Sequence, residues 1–280
     1  MCKGLVLDGG GVFGIGQAEI LSKVTNLDKF DFIAGTSIGS VVGALVASGD
    51  PAVRKCIPSF FDSDVPQIFN GYWYRKYNVF TPKYPDRALN ATLKRLFPGF
   101  LKDVKIPLFV TAVDLNGRSL KVFFSGDPID GRMPLWEVIR RAVAAETYFC
   151  PFNGMADGGI LANNPVMVGI AGAQSHMGID PEELEVCSIG TGQRSYNQSI
   201  GTTKGWTLVG WGGYILDALL DGASSTMHEF FATQLDLKNY LRVQFLREEA
   251  WDMDNPKMVG VARDAWAADI AKAIPQVEAF

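Results

Sequence analysis

Histidine, paired cysteine, long apolar runs and excess positive charge are all scarce in this chain, and each shortage removes a class of function. Of 280 residues only His176 and His228 are histidines, so the imidazole base of an ordinary serine triad has two candidates at most. The four cysteines, Cys2, Cys56, Cys150 and Cys187, lie far apart with no C-x-x-C pair. No metal site is expected from them, and they read as free thiols of a reducing cytoplasm. With 26 Lys and Arg against 30 Asp and Glu, a net charge of −4 and a pI near 5.3, the chain lacks the positive field that nucleic acid requires. No stretch of about 18 to 20 residues stays apolar, so no spanning helix is expected and membrane contact is peripheral. Gly4-Leu5-Val6-Leu7 runs straight into glycines from Gly9, which is not the pattern of a secretory signal.

Apolar residues make up 48% and charged residues 20%, ordinary globular usage for one compact domain over residues 1–280. Short apolar runs alternate with helix-like segments: Gly4–Leu7 as a strand, Gly16–Val24 as a helix, Phe30–Ala34 as a strand and Ile38–Ser48 as a helix. That order predicts an α/β fold, a mostly parallel central sheet with helices on both faces. Residues 51–100, rich in aromatics and proline, read as a helical or loop cap. Ile106–Val113 and Ser119–Phe124 flank Asn116-Gly117, which suits the positive φ of a type I′ hairpin. Pro134–Ala145 reads as a helix, Leu184–Ile189 as a buried strand, and residues 205–280 as a helical extension. The aromatic segment Phe60–Tyr84 and the stretch Trp206–Leu220 serve either core packing or lipid contact, with core packing favoured.

Gly35-Thr36-Ser37-Ile38-Gly39 matches G-x-S-x-G between a predicted strand and a predicted helix. Glycines on either side let the chain turn sharply and present the Ser37 hydroxyl at a helix N-terminus. Taken alone, the motif fits a nucleophile and a plain serine N-cap about equally. Upstream, Gly9, Gly11 and Gly14 satisfy G-x-G-x-x-G, a dinucleotide fingerprint. That reading asks for an acidic residue at the end of the second strand, where Asp31 does not lie. The other reading aims the N–H groups of Gly10 and Gly11 inward as an oxyanion hole, with the N–H of Ile38 as a third donor.

A serine needs a proton acceptor. The order Ser37, Asp157, His176 suits a triad, yet Gln174-Ser175-His176-Met177-Gly178 has no turn to aim the ring, and both histidines read as surface or packing residues. Asp157-Gly158-Gly159 is the better base, because paired glycines let a short carboxylate protrude from a tight turn. Such a base works near neutral pH only if desolvation raises its pKa.

Taken together, Gly9-Gly10-Gly11 with Gly14, Gly35-Thr36-Ser37-Ile38-Gly39, and Asp157-Gly158-Gly159 followed by Asn163, Asn164 and Pro165 resemble the patatin-like phospholipase family. The resemblance covers residues 4 to 192 and also takes in Thr111–Asn116, Ala144–Pro151 and Ser188–Gly192. It implies a three-layer fold, a Ser37–Asp157 dyad without histidine, oxyanion donors at Gly10 and Gly11, hydrolysis of phospholipids or other acyl-ester lipids, and no cofactor. The chain departs from the family at Phe13, where the glycine loop commonly carries Arg or Lys. Three rivals stay open. An acyltransferase ordinarily places histidine where Thr36 stands, a nucleotide-binding protein would be stabilised by its cofactor, and a silent interaction protein would lack esterase activity.

Overall fold

The computed structural model describes residues 2–71, 81–194, 224–247 and 251–280. Its frame is a seven-stranded sheet with a main path β4-β3-β2-β1-β6-β8. The strands are β1 (Cys2–Leu7), β2 (Phe32–Thr36), β3 (Leu108–Asp114), β4 (Ser119–Phe124), β5 (Met155–Asp157), β6 (Leu184–Ile189) and β8 (Asn239–Val243). Strands β3, β2, β1, β6 and β8 run parallel, while β4 and the short β5 pair antiparallel with β3. Two further strands, β7 (Gln193–Arg194) and β9 (Leu246–Arg247), form a separate small ladder.

Side chains alternate across the sheet with period two, and each face enters a different core. Leu5, Leu7, Ile33, Leu108 and Val110 enter the larger core, which helices α1 (Ile15–Leu21) and α2 (Ile38–Ala47) cover. Val6, Phe32, Ala34 and Phe109 enter a smaller one with Val166, Ile170 and Ala173 from the long helix Val166–Met177. The outcome is the expected α/β sandwich with helices on both faces. The chain builds outward from β1 to β2, β3 and β4, then returns to β1's other side with β6. The carboxyl ends of β1 and β6 therefore form a topological switch point, the place where α/β sheets bind ligands.

Three expectations are corrected. The segment read as wholly helical beyond residue 205 contributes β8, which pairs with β6 and sends Leu241 and Val243 into one core and Tyr240 into the other. Its tryptophan spacing masked this period-two run of five residues. In the β3–β4 hairpin the positive φ falls on Arg118, at 50°, and neither Asn116 nor Gly117 adopts one, so the connection is longer than a type I′ turn. The helix expected to reach Ala145 ends at Ala142. Residues 51–68 form short helical turns and Asp86–Leu96 a regular helix. Trp73 and the Trp206–Leu220 stretch lie outside the described residues. Among the described residues no helix is long and apolar enough to cross a membrane.

Helix α2 crosses the end of β1 so closely that a Cβ at Gly39 would stand 2.2 Å from the Leu7 carbonyl oxygen. Gly39→Ala is therefore expected to destabilise the fold by about 3 kcal/mol, the upper range for overpacking against backbone, read as a lowered urea midpoint at unchanged m-value.

Candidate active site

Ser37 sits between β2 and α2 with φ 52° and ψ −124°, a conformation that costs a residue bearing a Cβ about 1 to 3 kcal/mol. The flanking hydrogen bonds hold it there. Thr36 at the end of β2 is within 2.7 Å of the Thr111 hydroxyl on β3 and donates to the Ala162 carbonyl at 2.6 Å. Ser40 Oγ caps the Gly35 carbonyl at 2.9 Å.

From this turn Ser37 Oγ donates to Asp157 Oδ2 at 2.6 Å. Asp157 ends β5, where its backbone lies opposite Ala112 of β3. Its Oδ1 accepts the Gly159 N–H at 2.8 Å. Burial is the main cause lifting its pKa to about 7, and the nearby Glu146 carboxylate adds to the rise; the Ser37 and Gly159 hydrogen bonds oppose it. Glu146 is itself raised by desolvation.

The glycine turn after β1 stands beside this pair. Gly10 and Gly11 take φ of 154° and 59°, which a residue with a Cβ rarely adopts. Gly9 N–H donates to the Asn163 carbonyl at 2.9 Å and Val12 N–H to the Met253 carbonyl at 2.9 Å. Thr191 Oγ1 donates to the Gly9 carbonyl. Among the described residues the N–H groups of Gly10 and Gly11 have no acceptor. The N–H of Ile38, first in α2, has no partner within its helix.

Gly9, Gly10, Gly11, Ser37, Ile38, Asp157 and Gly159 line one cavity of about 200 Å³. Gly14, Gly35, Gly39 and Gly158 shape the turns around it. A Cβ at Gly14 would meet Ile38, one at Gly35 the Gly39 backbone, and one at Gly158 the Thr111 side chain. The cavity's far wall is apolar, with Phe60, Val65, Ile68, Phe69, Leu89 and Phe149. Part of the aromatic cap segment thus faces the cavity, while Phe61 and Tyr84 pack into the core. Neither histidine lines it. His176 packs on Phe124, ring centroids 4.8 Å apart, and His228 Nδ1 is 2.7 Å from the Asn164 carbonyl.

The sequence reading missed Glu146, Thr191 and Arg247, which also line the cavity. Glu146 left one trace, a lone acid after the run Ala142-Val143-Ala144-Ala145. Arg247 left none, since only the fold brings β9 to the glycine turn. Phe13, where the chain departs from the family, has a fully buried ring that packs against Trp251 and Trp266 at 5.9 and 6.1 Å. The Arg247 guanidinium lies 4.8 Å over that ring. A cation thus stands beside the loop although position 13 is apolar. Phe13→Arg is expected to lower stability by on the order of 3 kcal/mol, because it places a second charge in an aromatic core; a fall in Tm checks it.

A family model described as patatin-like phospholipase matches residues 5–170. Patatin-17 of Solanum cardiophyllum is 26% identical over 86% of this chain and 75% of its own length. A cGAMP-activated phospholipase of Escherichia coli (strain TW11681) is 27% identical over 72% of this chain, which spans 66% of that protein. The crystal structure of VipD from Legionella pneumophila superposes with a TM-score of 0.51 at 15% identity, covering 97% of this chain and 67% of that one; this likeness concerns the fold alone.

Proposed function

The chain belongs to the patatin-like phospholipase family, and from that premise we propose that it is a serine acyl hydrolase cleaving phospholipids or related acyl-ester lipids, with Ser37 as nucleophile and Asp157 as base. The observation that carries the proposal is the 2.6 Å contact between Ser37 Oγ and Asp157 Oδ2, in a cavity that two unaccepted glycine amides also line.

In the first step Asp157 takes the Ser37 proton as Oγ attacks the ester carbonyl carbon. The carbonyl oxygen becomes an oxyanion that the N–H groups of Gly10, Gly11 and Ile38 receive, and one such donor typically contributes on the order of 3 kcal/mol. Collapse breaks the bond to the alcohol, which leaves with the proton held by Asp157. In the second step Asp157 deprotonates a water that attacks the acyl-serine, and collapse returns the proton to Ser37 and frees the acid. Asp157 needs no imidazole intermediary, because a base with a pKa of about 7 is matched to neutral pH. The apolar wall from Phe60 to Phe149 suits an acyl chain, and leaving it dry strengthens the charge contacts at the other end.

Incubation of the protein with vesicles of mixed phospholipids, followed by mass spectrometry, is expected to show free fatty acids and lysolipids. Release that persists unchanged in Ser37→Ala overturns the proposal.

A further inference from the structure

The glycine turn is held from behind by a buried ion pair that no step of the proposed chemistry uses. Asp8 directly precedes the turn at the end of β1. Its carboxylate receives a two-point contact from Arg242 of β8, Nη1 to Oδ1 at 3.0 Å and Nη2 to Oδ2 at 2.6 Å. The two side chains are 3% and 9% exposed. Arg242 Nη1 also donates to Ser188 Oγ at 2.7 Å, and Nε faces Glu229 at 3.3 Å. Ser188 stands opposite Val6 on one side and Arg242 on the other, so the pair reaches from β8 across β6 to the root of the turn.

A bidentate guanidinium fixes the plane and the rotamer of the carboxylate it grips, which a single contact does not. The Asp8 backbone is pinned too, its N–H on Ile189 and its carbonyl receiving Gln17 Nε2 at 3.0 Å. The backbone leaving Asp8 therefore has one heading, and that heading sets where the next amides point. The space beside the pair, lined by Asp8, Asn163, Thr191, Glu229, Arg242 and Gln244, amounts to about 10 Å³, room for no more than about one water. A carboxylate deprived of Arg242 has at most about one water to solvate it there and has to turn or take up a proton.

We infer that Arg242, through its grip on Asp8, is a positioning residue that aims the Gly10 and Gly11 amides at the developing oxyanion. The inference rests on the acyl-hydrolase reading given above. Its cost appears in the transition state alone, because a ground-state ester places little charge on those amides.

The test uses Arg242→Lys and Asp8→Asn beside the parent protein and Ser37→Ala. Active sites are counted by stoichiometric labelling with a fluorophosphonate, turnover is followed on a p-nitrophenyl fatty-acid ester, and a trifluoromethyl ketone serves as transition-state mimic. Expected is a fall in kcat per labelled site of about 10²-fold, the scale of a 1 Å misplacement. KM should stay within about twofold and the ketone should weaken by the same factor as kcat/KM. A pair needed only for folding lowers the number of labelled sites and leaves kcat per site unchanged; that result overturns the inference, as does a loss confined to KM. Should one variant fold poorly, kcat per labelled site in the other decides. Activity surviving in Ser37→Ala removes the hydrolase reading itself, whereas its loss there with full turnover in both ion-pair variants removes only the role of Arg242.

Discussion

Ser37→Ala is expected to lower kcat for ester hydrolysis on the order of 10⁴- to 10⁶-fold, the range seen when a nucleophile is removed from a site whose groups act as a unit. The fold should survive, because the contacts that shape the turn belong to its neighbours: Thr36 to Thr111 and Ala162, Ser40 to the Gly35 carbonyl. What leaves is the Oγ that donates to Asp157. The backbone at φ 52° and ψ −124° supplies a second, independent readout. Alanine keeps the Cβ and so keeps the strain, whereas Ser37→Gly releases it. Both variants should be equally inactive, yet the glycine variant should be more stable than the alanine variant by on the order of 1 kcal/mol, after glycine's larger unfolded-state entropy is counted. Equal or reversed Tm values would show that the turn is unstrained at this position. Activity in either variant would show that the nucleophile lies elsewhere.

The central strands were legible because burial on both faces leaves an unmistakable run: Gly4–Leu7, Phe30–Ala34 and Leu184–Ile189 each appear within about two residues of their predicted bounds. Turn chemistry marked the candidate site in the same way. Glycines that flank Ser37 and follow Asp157 mark places where a Cβ has no room, and that information is local to the chain. The residues that went unread share the opposite property. Arg242 meets Asp8 across 234 positions, and Arg247 reaches Phe13 only after β9 has paired with β7. Nothing in a window of ten or twenty residues encodes such a meeting. Glu146 is the intermediate case, conspicuous as a charge in an apolar stretch, but meaningful only once Asp157 stands near it. Strand β8 was hidden for a plainer reason, since five residues of alternation are too short to outweigh a helical reading of the whole C-terminal segment.

Asp157→Asn should separate activity from stability, with opposite signs. As the proposed base, Asp157 has to be ionised, so kcat/KM of the unsubstituted protein should fall tenfold per unit of pH below about 7, the value to which burial, and then Glu146, raise this carboxyl. The asparagine variant accepts no proton and should lose about 10³- to 10⁴-fold at pH 8. Stability runs the other way. Below the unfolded carboxyl value near 4 both states hold the proton and burial costs nothing extra. Between about 4 and 7 the native state keeps a proton that the unfolded chain has released, so stability declines as pH rises, and above about 7 the full penalty of a buried carboxylate applies. With Asp157 at about 7 against 3.8 for an unperturbed aspartate, that penalty is on the order of 4 kcal/mol. Asparagine retains an acceptor for the Gly159 N–H and carries no charge, so the variant should melt higher than the parent at pH 8, and the difference should vanish toward pH 4. Glu146→Gln removes the neighbouring carboxylate and should shift the acid limb of kcat/KM to lower pH without abolishing turnover. A rate profile flat from pH 5 to 8, or an asparagine variant less stable than the parent at pH 8, would mean that the carboxylate is not the desolvated base on which direct proton transfer from serine depends.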